Sequence, residues 1–85
     1  MPRFAHSDGY AVVVEVLVAA RKGAGVSQLT LANRLSKPQS FVSKIERRER
    51  RLDVLEFCAI VRAIGLQPAE LMRQVDESLP EDIEL

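Results

Sequence analysis

Along the chain, apolar residues recur at three- and four-residue spacing, and no segment alternates in twos between hairpin turns, so the pattern predicts helices throughout. Tyr10, Val13, Val14, Leu17 and Ala20 form the inward stripe of a first helix, capped by Ser7 or Asp8 and ended by Gly23 with Gly25. Ser27 caps a short second helix whose apolar positions are Leu29, Leu31, Ala32 and Leu35, up to Ser36-Lys37-Pro38. Pro38 lies at or next to the first turn of a third helix, where its fixed φ and missing N–H cost nothing. That helix runs from Gln39 to Arg47 with Val42 and Ile45 inward. Asp53 and Glu56 are spaced as a capping box for a fourth helix. Its stripe is Val54, Leu55, Cys58, Ile60, Val61 and Ile64, closed by Gly65. Gln67 to Glu70 open a fifth helix through Leu71, Met72 and Val75. From Asp76 the chain is acidic, contains Pro80, and is expected to fray or to dock on a partner.

A helix shorter than about 12 residues is marginal alone in water, so these elements must pack together. The fold class expected is all-α, one compact five-helix domain. It divides into an arm over 1–9, a helical domain over 10–75 with a helix-turn-helix over 27–46, and an acidic tail over 76–85. At 85 residues the chain buries roughly 60–65% of its unfolded surface, enough for one modest core and no deep pocket. One cysteine and one histidine make neither a disulfide nor a zinc site, so neither metal nor other cofactor is expected. His6 has no partner nucleophile, and Cys58 sits on an apolar stripe, so nothing suggests an enzyme. The first residues lack the apolar stretch of a signal peptide, and the run from Tyr10 to Ala20 falls well short of the roughly 20 residues that span a bilayer. A soluble, cytoplasmic protein without a membrane partner is the expectation.

The charge is zero overall, with 12 basic and 12 acidic side chains, which alone argues mildly against a nucleic-acid partner. Its distribution argues the other way. Residues 1–51 carry ten basic and four acidic side chains, a balance of +6, whereas residues 52–85 carry two and eight, a balance of −6. One end can therefore face an anionic partner while the other faces away.

The richest segment is Ser27 to Glu46, two short helices joined by a tight turn. Ala32 is the small residue where two helices cross, and Leu35, Val42 and Ile45 supply the inner face. Gln39, Ser40, Ser43, Lys44 and Arg47 remain on the outer face of the second helix, as on a helix that enters a major groove. Here the sequence resembles the Cro/C1-type (XRE, lambda-repressor-like) helix-turn-helix regulators. The likeness is carried by Val26-Ser27-Gln28, Leu31-Ala32-Asn33-Arg34-Leu35, Pro38 through Glu46, Glu49 through Val54, Arg21, and Gly65 through Leu71, and it covers about residues 10–75.

The resemblance implies a bacterial or phage, nucleoid-associated regulator, a repressor that binds a palindromic double-stranded DNA operator as a homodimer. It implies that Gln28 holds a phosphate and braces Gln39, and that Gln39 and Ser40 reach base edges. Lys44 is a further candidate for guanine O6 or N7, or merely for a phosphate, and Ser43 is an ambiguous one. Lys37, Arg47, Arg48, Arg50 and Arg51 are expected at phosphates, supplying affinity without sequence preference. The plainer alternatives are that Gln39 and Ser40 merely start a helix and that the arginine run is a solvated loop. Glu46 reads as a structural carboxylate paired with an arginine such as Arg21. Ser36 and Arg48 stand where the family commonly has glycine, and a left-handed non-glycine residue costs about 1–2 kcal/mol.

A single recognition helix reads few base pairs, so a dimer surface is expected. Leu71, Met72 and Val75 are candidates, although they equally suit the monomer core. Val12 and Val16 flank the buried arc of the first helix and, with Phe4 and the arm, are expected to bury against a second chain or the arm itself. The rival reading is an antitoxin or adaptor that holds a protein partner through its acidic fourth and fifth helices and tail.

Overall fold

A computed structural model describes residues 8–85. These fold as α1 (Asp8–Gly23), α2 (Gln28–Arg34), α3 (Gln39–Glu46), α4 (Val54–Ile64) and α5 (Pro68–Ser78), with no strand among the described residues. Ser7, one of the two cap candidates, and Phe4 and His6 of the arm lie outside the described residues. The expected starts of the other helices hold. Ser27 caps α2 by accepting the Thr30 N–H at 3.0 Å, and Asp53 and Glu56 form a reciprocal capping box on α4. Pro38 is the N-cap of α3 itself, and Arg47 is its C-cap.

Four helices end in the same way. In each, a residue at positive φ lets the next N–H reach the carbonyl five residues back, the Schellman arrangement that satisfies carbonyls otherwise left orphaned. Gly25 (φ 71°) and Gly65 (φ 101°) do this after α1 and α4. Ser36 (φ 57°) and Arg48 (φ 61°) do it after α2 and α3, with Lys37 N–H donating to the Ala32 carbonyl at 2.9 Å and Glu49 N–H to the Lys44 carbonyl at 2.8 Å. The two places where the family pattern has glycine are thus the two non-glycine residues in the left-handed region among the described residues.

The core is drawn from all five helices and centres on Leu31, Ala32 and Val61, with Val42 and Ile45 from α3 and Phe57, Ile60 and Ile64 from α4. Several expected positions differ. Leu29 is exposed, on the outer side of α2. Val54 and Leu55 are largely exposed because they form the first turn of α4, ahead of the point where Phe57 enters the core. Phe57, absent from the expected stripe, completes a true three-and-four series with Ile60, Val61 and Ile64.

Two of the expected interface residues are corrected. Leu71 and Val75 are each only 3% exposed, because they form the inward stripe of α5 and close the monomer core, so neither offers surface to a second chain. Met72 is 43% exposed. Val12 and Val16 are half-buried and line an open groove of about 440 Å³ between α1 and α5, together with Glu15, Ala19, Gln74 and Ser78. Val16 also packs partly against the core. The acidic segment starts inside α5, which runs to Ser78; Leu79 then packs on the core. A side chain at Gly9 would meet Leu79 and Ile83 at 3.7 Å, so the C-terminal residues return to the start of α1. No helix among the described residues is long and apolar enough to cross a membrane.

Candidate nucleic-acid interface

The turn from Leu35 to Pro38 sets α2 against α3, the most extensive of the helix contacts. Burial of Val42 and Ile45 fixes the roll of α3 about its axis. With that roll set, helical periodicity carries Gln39, Ser40 and Lys44 to solvent, and all three are exposed. Ser43 is half-buried, and its hydroxyl donates to the Ser40 carbonyl at 3.3 Å, a long contact within the helix.

Beneath this face lies a polar cluster. Arg21 is buried, donates from Nε and Nη2 to the two oxygens of Glu46 at 2.6 and 2.9 Å, and donates from Nη1 to the Val26 carbonyl at 2.8 Å. The pair is 9% and 12% exposed at the side chains, so Glu46 is the structural carboxylate expected and Arg21 its partner. Such a bidentate pair ties the end of α1 to the end of α3, and removing one partner alone would leave a buried charge at a cost of about 3–5 kcal/mol. Gln28 Nε2 donates to the same carboxylate at 2.8 Å, and Gln39 Nε2 reaches Gln28 Oε1 at 3.4 Å. The expected brace between Gln28 and Gln39 is therefore present as a long contact, with Gln28 itself anchored on Glu46.

The segment after α3 is held at several points. The Tyr10 hydroxyl donates to the Arg50 carbonyl at 2.8 Å, and burial pushes that phenol up from its ordinary range. The Arg50 guanidinium makes a two-pronged pair with Glu56 at 3.1 and 3.0 Å. It also lies over the Phe41 ring at 4.8 Å, with Lys37 over the same ring at 5.4 Å. Arg51 lies over the Tyr10 ring at 5.2 Å. Cations over ring faces are attracted by the ring quadrupole, so Phe41 and Tyr10 station three of the basic side chains beside α3. Arg47 is exposed and pairs with Glu49 at 2.9 Å, while Arg48 is half-buried at its left-handed position. Phe41 and Tyr10 were not among the expected site residues. The available signal was an aromatic residue of α3 flanked in sequence by Lys37 and the arginine run.

The Glu56 carboxyl is held below the ordinary carboxylate range, first by the Arg50 guanidinium and then by the Asp53 N–H; reciprocally, Glu56 raises Arg50. Among the described residues no group of three or more His, Cys, Asp or Glu side chains could hold a metal ion.

This geometry has close counterparts in known proteins. A helix-turn-helix family model matches residues 17–71. The XRE-family like protein from Pseudomonas syringae pv. tomato str. DC3000 superposes with a TM-score of 0.82 at 45% identity, over 88% of this chain and 92% of that one. The restriction-modification controller protein C.Esp1396I does so with a TM-score of 0.78 at 21% identity, over 85% and 95% of the two chains. The clp gene regulator ClgR from C. glutamicum gives 0.75 at 18% identity, over 87% and 96%. At the lower two identities the likeness is one of fold. No curated protein matches the sequence. The family match across most of α1 to α5, together with the 45% identical XRE-family structure, establishes that the chain belongs to the Cro/C1-type (XRE) helix-turn-helix family of DNA-binding regulators.

Proposed function

We propose that the protein is a repressor that binds a palindromic operator in double-stranded DNA as a homodimer, with α3 in the major groove. The observation that carries the reading is the exposed face of Gln39, Ser40 and Lys44 on a helix whose roll is fixed by burial and whose flanks hold Lys37, Arg48, Arg50 and Arg51. Gln39 presents an amide whose donor and acceptor match adenine N6 and N7, a contact worth about 1–3 kcal/mol of discrimination. Ser40 contacts the neighbouring base edge, and Lys44, one turn on, reaches guanine or a phosphate. Ser43, half-buried and bonded within the helix, has the smallest share in base reading. Gln28, Lys37, Arg47, Arg48, Arg50 and Arg51 contact phosphates. The phosphate roles of Arg47 and Arg50 require their pairs with Glu49 and Glu56 to be shared with or yielded to the DNA.

The second chain docks on the α1 face at Val12 and Val16, where the groove toward Gln74 and Ser78 is open. Met72 stands two residues from Gln74, about 200° around α5, and so faces another side of the molecule.

Selection of bound duplexes from a random pool tests the reading. The expected result is an inverted repeat with half-sites about one helical turn, roughly 34 Å, apart. On that site, neutralisation of about eight phosphates gives a log affinity that falls with log salt at a slope of about −7. A well-folded protein that enriches nothing overturns the reading and turns attention to a protein partner.

A further inference from the structure

Glu46 lies below the reading face, yet it is connected to that face by an unbroken chain of hydrogen bonds. We propose that Glu46 is a positioning residue that decides which base Gln39 selects, by setting the direction of the two glutamine amides above it. The inference rests on the reading that α3 is the recognition helix.

The direction is imposed from below. Arg21 is buried and held by three hydrogen bonds, two of them to Glu46, so the carboxylate stands on a fixed base. An ionised carboxylate only accepts hydrogen bonds. The Gln28 amide must therefore turn its NH₂ toward Glu46, as it does at 2.8 Å. Because the amide is planar, its oxygen then faces the other way, toward Gln39. Gln39 must in turn donate to that oxygen, which it does with Nε2 at 3.4 Å. One N–H and the carbonyl oxygen of Gln39 are left for the groove, in a set order along the helix.

That order is the specificity. A donor and an acceptor side by side fit N7 and N6 of adenine only when each faces its complement. Were the chain to run the other way, Gln39 would accept from Gln28 and present its NH₂ outward, which suits bases that offer acceptors in the major groove, such as guanine. A structural carboxylate with no hold on Gln28 would have no such consequence. The contact from Gln28 to Glu46 makes the difference.

Glu46→Gln tests this directly. The new side chain keeps its size and an oxygen for Arg21, and adds an NH₂ that can donate to Gln28 and reverse the chain. Wild type, Glu46→Gln and Gln39→Ala are each taken through duplex selection, with thermal unfolding followed in parallel. The expected result is that Gln39→Ala identifies one position in each half-site by relaxing it, and that Glu46→Gln changes the preferred base at that same position by about tenfold or more while the other positions keep theirs. A site unchanged in pattern, or a preference weakened evenly at every position, overturns the proposal while leaving the DNA-binding reading intact. A wild-type pool with no enriched site removes that reading and this proposal with it. Should Glu46→Gln fail to fold, Gln28→Leu decides, since it cuts the chain without touching the Arg21–Glu46 pair. A relaxed preference at the Gln39 position is the result expected, and an unchanged one overturns the proposal.

Discussion

Ser36 and Arg48 show how single residues can trade stability for placement. Both hold φ near +60°, where a Cβ crowds the backbone, and both end helices that a glycine would end without that strain. Ser36→Gly is expected to stabilise the fold by about 1 kcal/mol, a rise in Tm of roughly 4–8 °C for a domain of this size. Arg48→Gly should stabilise similarly and, on the proposed phosphate role of Arg48, weaken all duplexes alike. Calorimetry alongside duplex titration at fixed salt separates the two effects. Both positions were legible in the sequence, because a glycine-shaped gap in a familiar pattern is a statement about φ. Leu29 was not: an apolar side chain in a helix of seven residues leaves too few neighbours to fix which side faces inward. Arg50 was read only as a phosphate contact or part of a solvated loop, since no local spacing announces a pair with Glu56 six residues away across a helix cap.

Between elements, the segment from Arg47 to Asp53 behaves as a strap rather than a loop. Tyr10 of α1 fastens one side of it, and Glu56 of α4 the other. Glu56 also caps α4, so one carboxylate serves the helix start and the strap together. Because its carboxyl is held below the ordinary range, its contribution is fully present above the unfolded value of about 4.3 and is lost as pH falls through the folded value. Glu56→Gln is therefore expected to be less stable than wild type at pH 7, by up to about 1 kcal/mol for a partly exposed pair. The gap should close as the pH is taken well below 4, as urea titrations at the two pH values would record. Element order, the caps of α2 and α4 and the helix-turn-helix were readable because each rests on local chemistry. The inward stripe of α4 was read one turn too early at Val54 and Leu55, since where a helix meets the core depends on distant partners rather than on its own period.

For the molecule as a whole, the opposed charge balances of +6 and −6 matter more than the net charge of zero. On the proposed DNA-binding reading, such a distribution is expected to orient the basic half toward DNA during encounter and to leave the acidic half facing away. Assembly is the other property at this scale. On the proposed dimer, Val12→Glu is expected to halve the sedimentation mass with little loss of stability, since Val12, unlike Val16, is not among the apolar residues packed on the core. An unchanged mass overturns the proposed docking face, and Met72 is the next position to alter. Last, α1 packs against α5, although more than forty residues separate Gly23 from Pro68. Contacts between α2 and α3 are local and can form early, whereas the joining of the first and last helices must close nearly the whole chain into a ring and bears the largest entropic cost. The helix-turn-helix thus draws on the middle of the sequence, whereas α5, through Leu71 and Val75 in the core, fastens the far end of the chain onto α1 and α4.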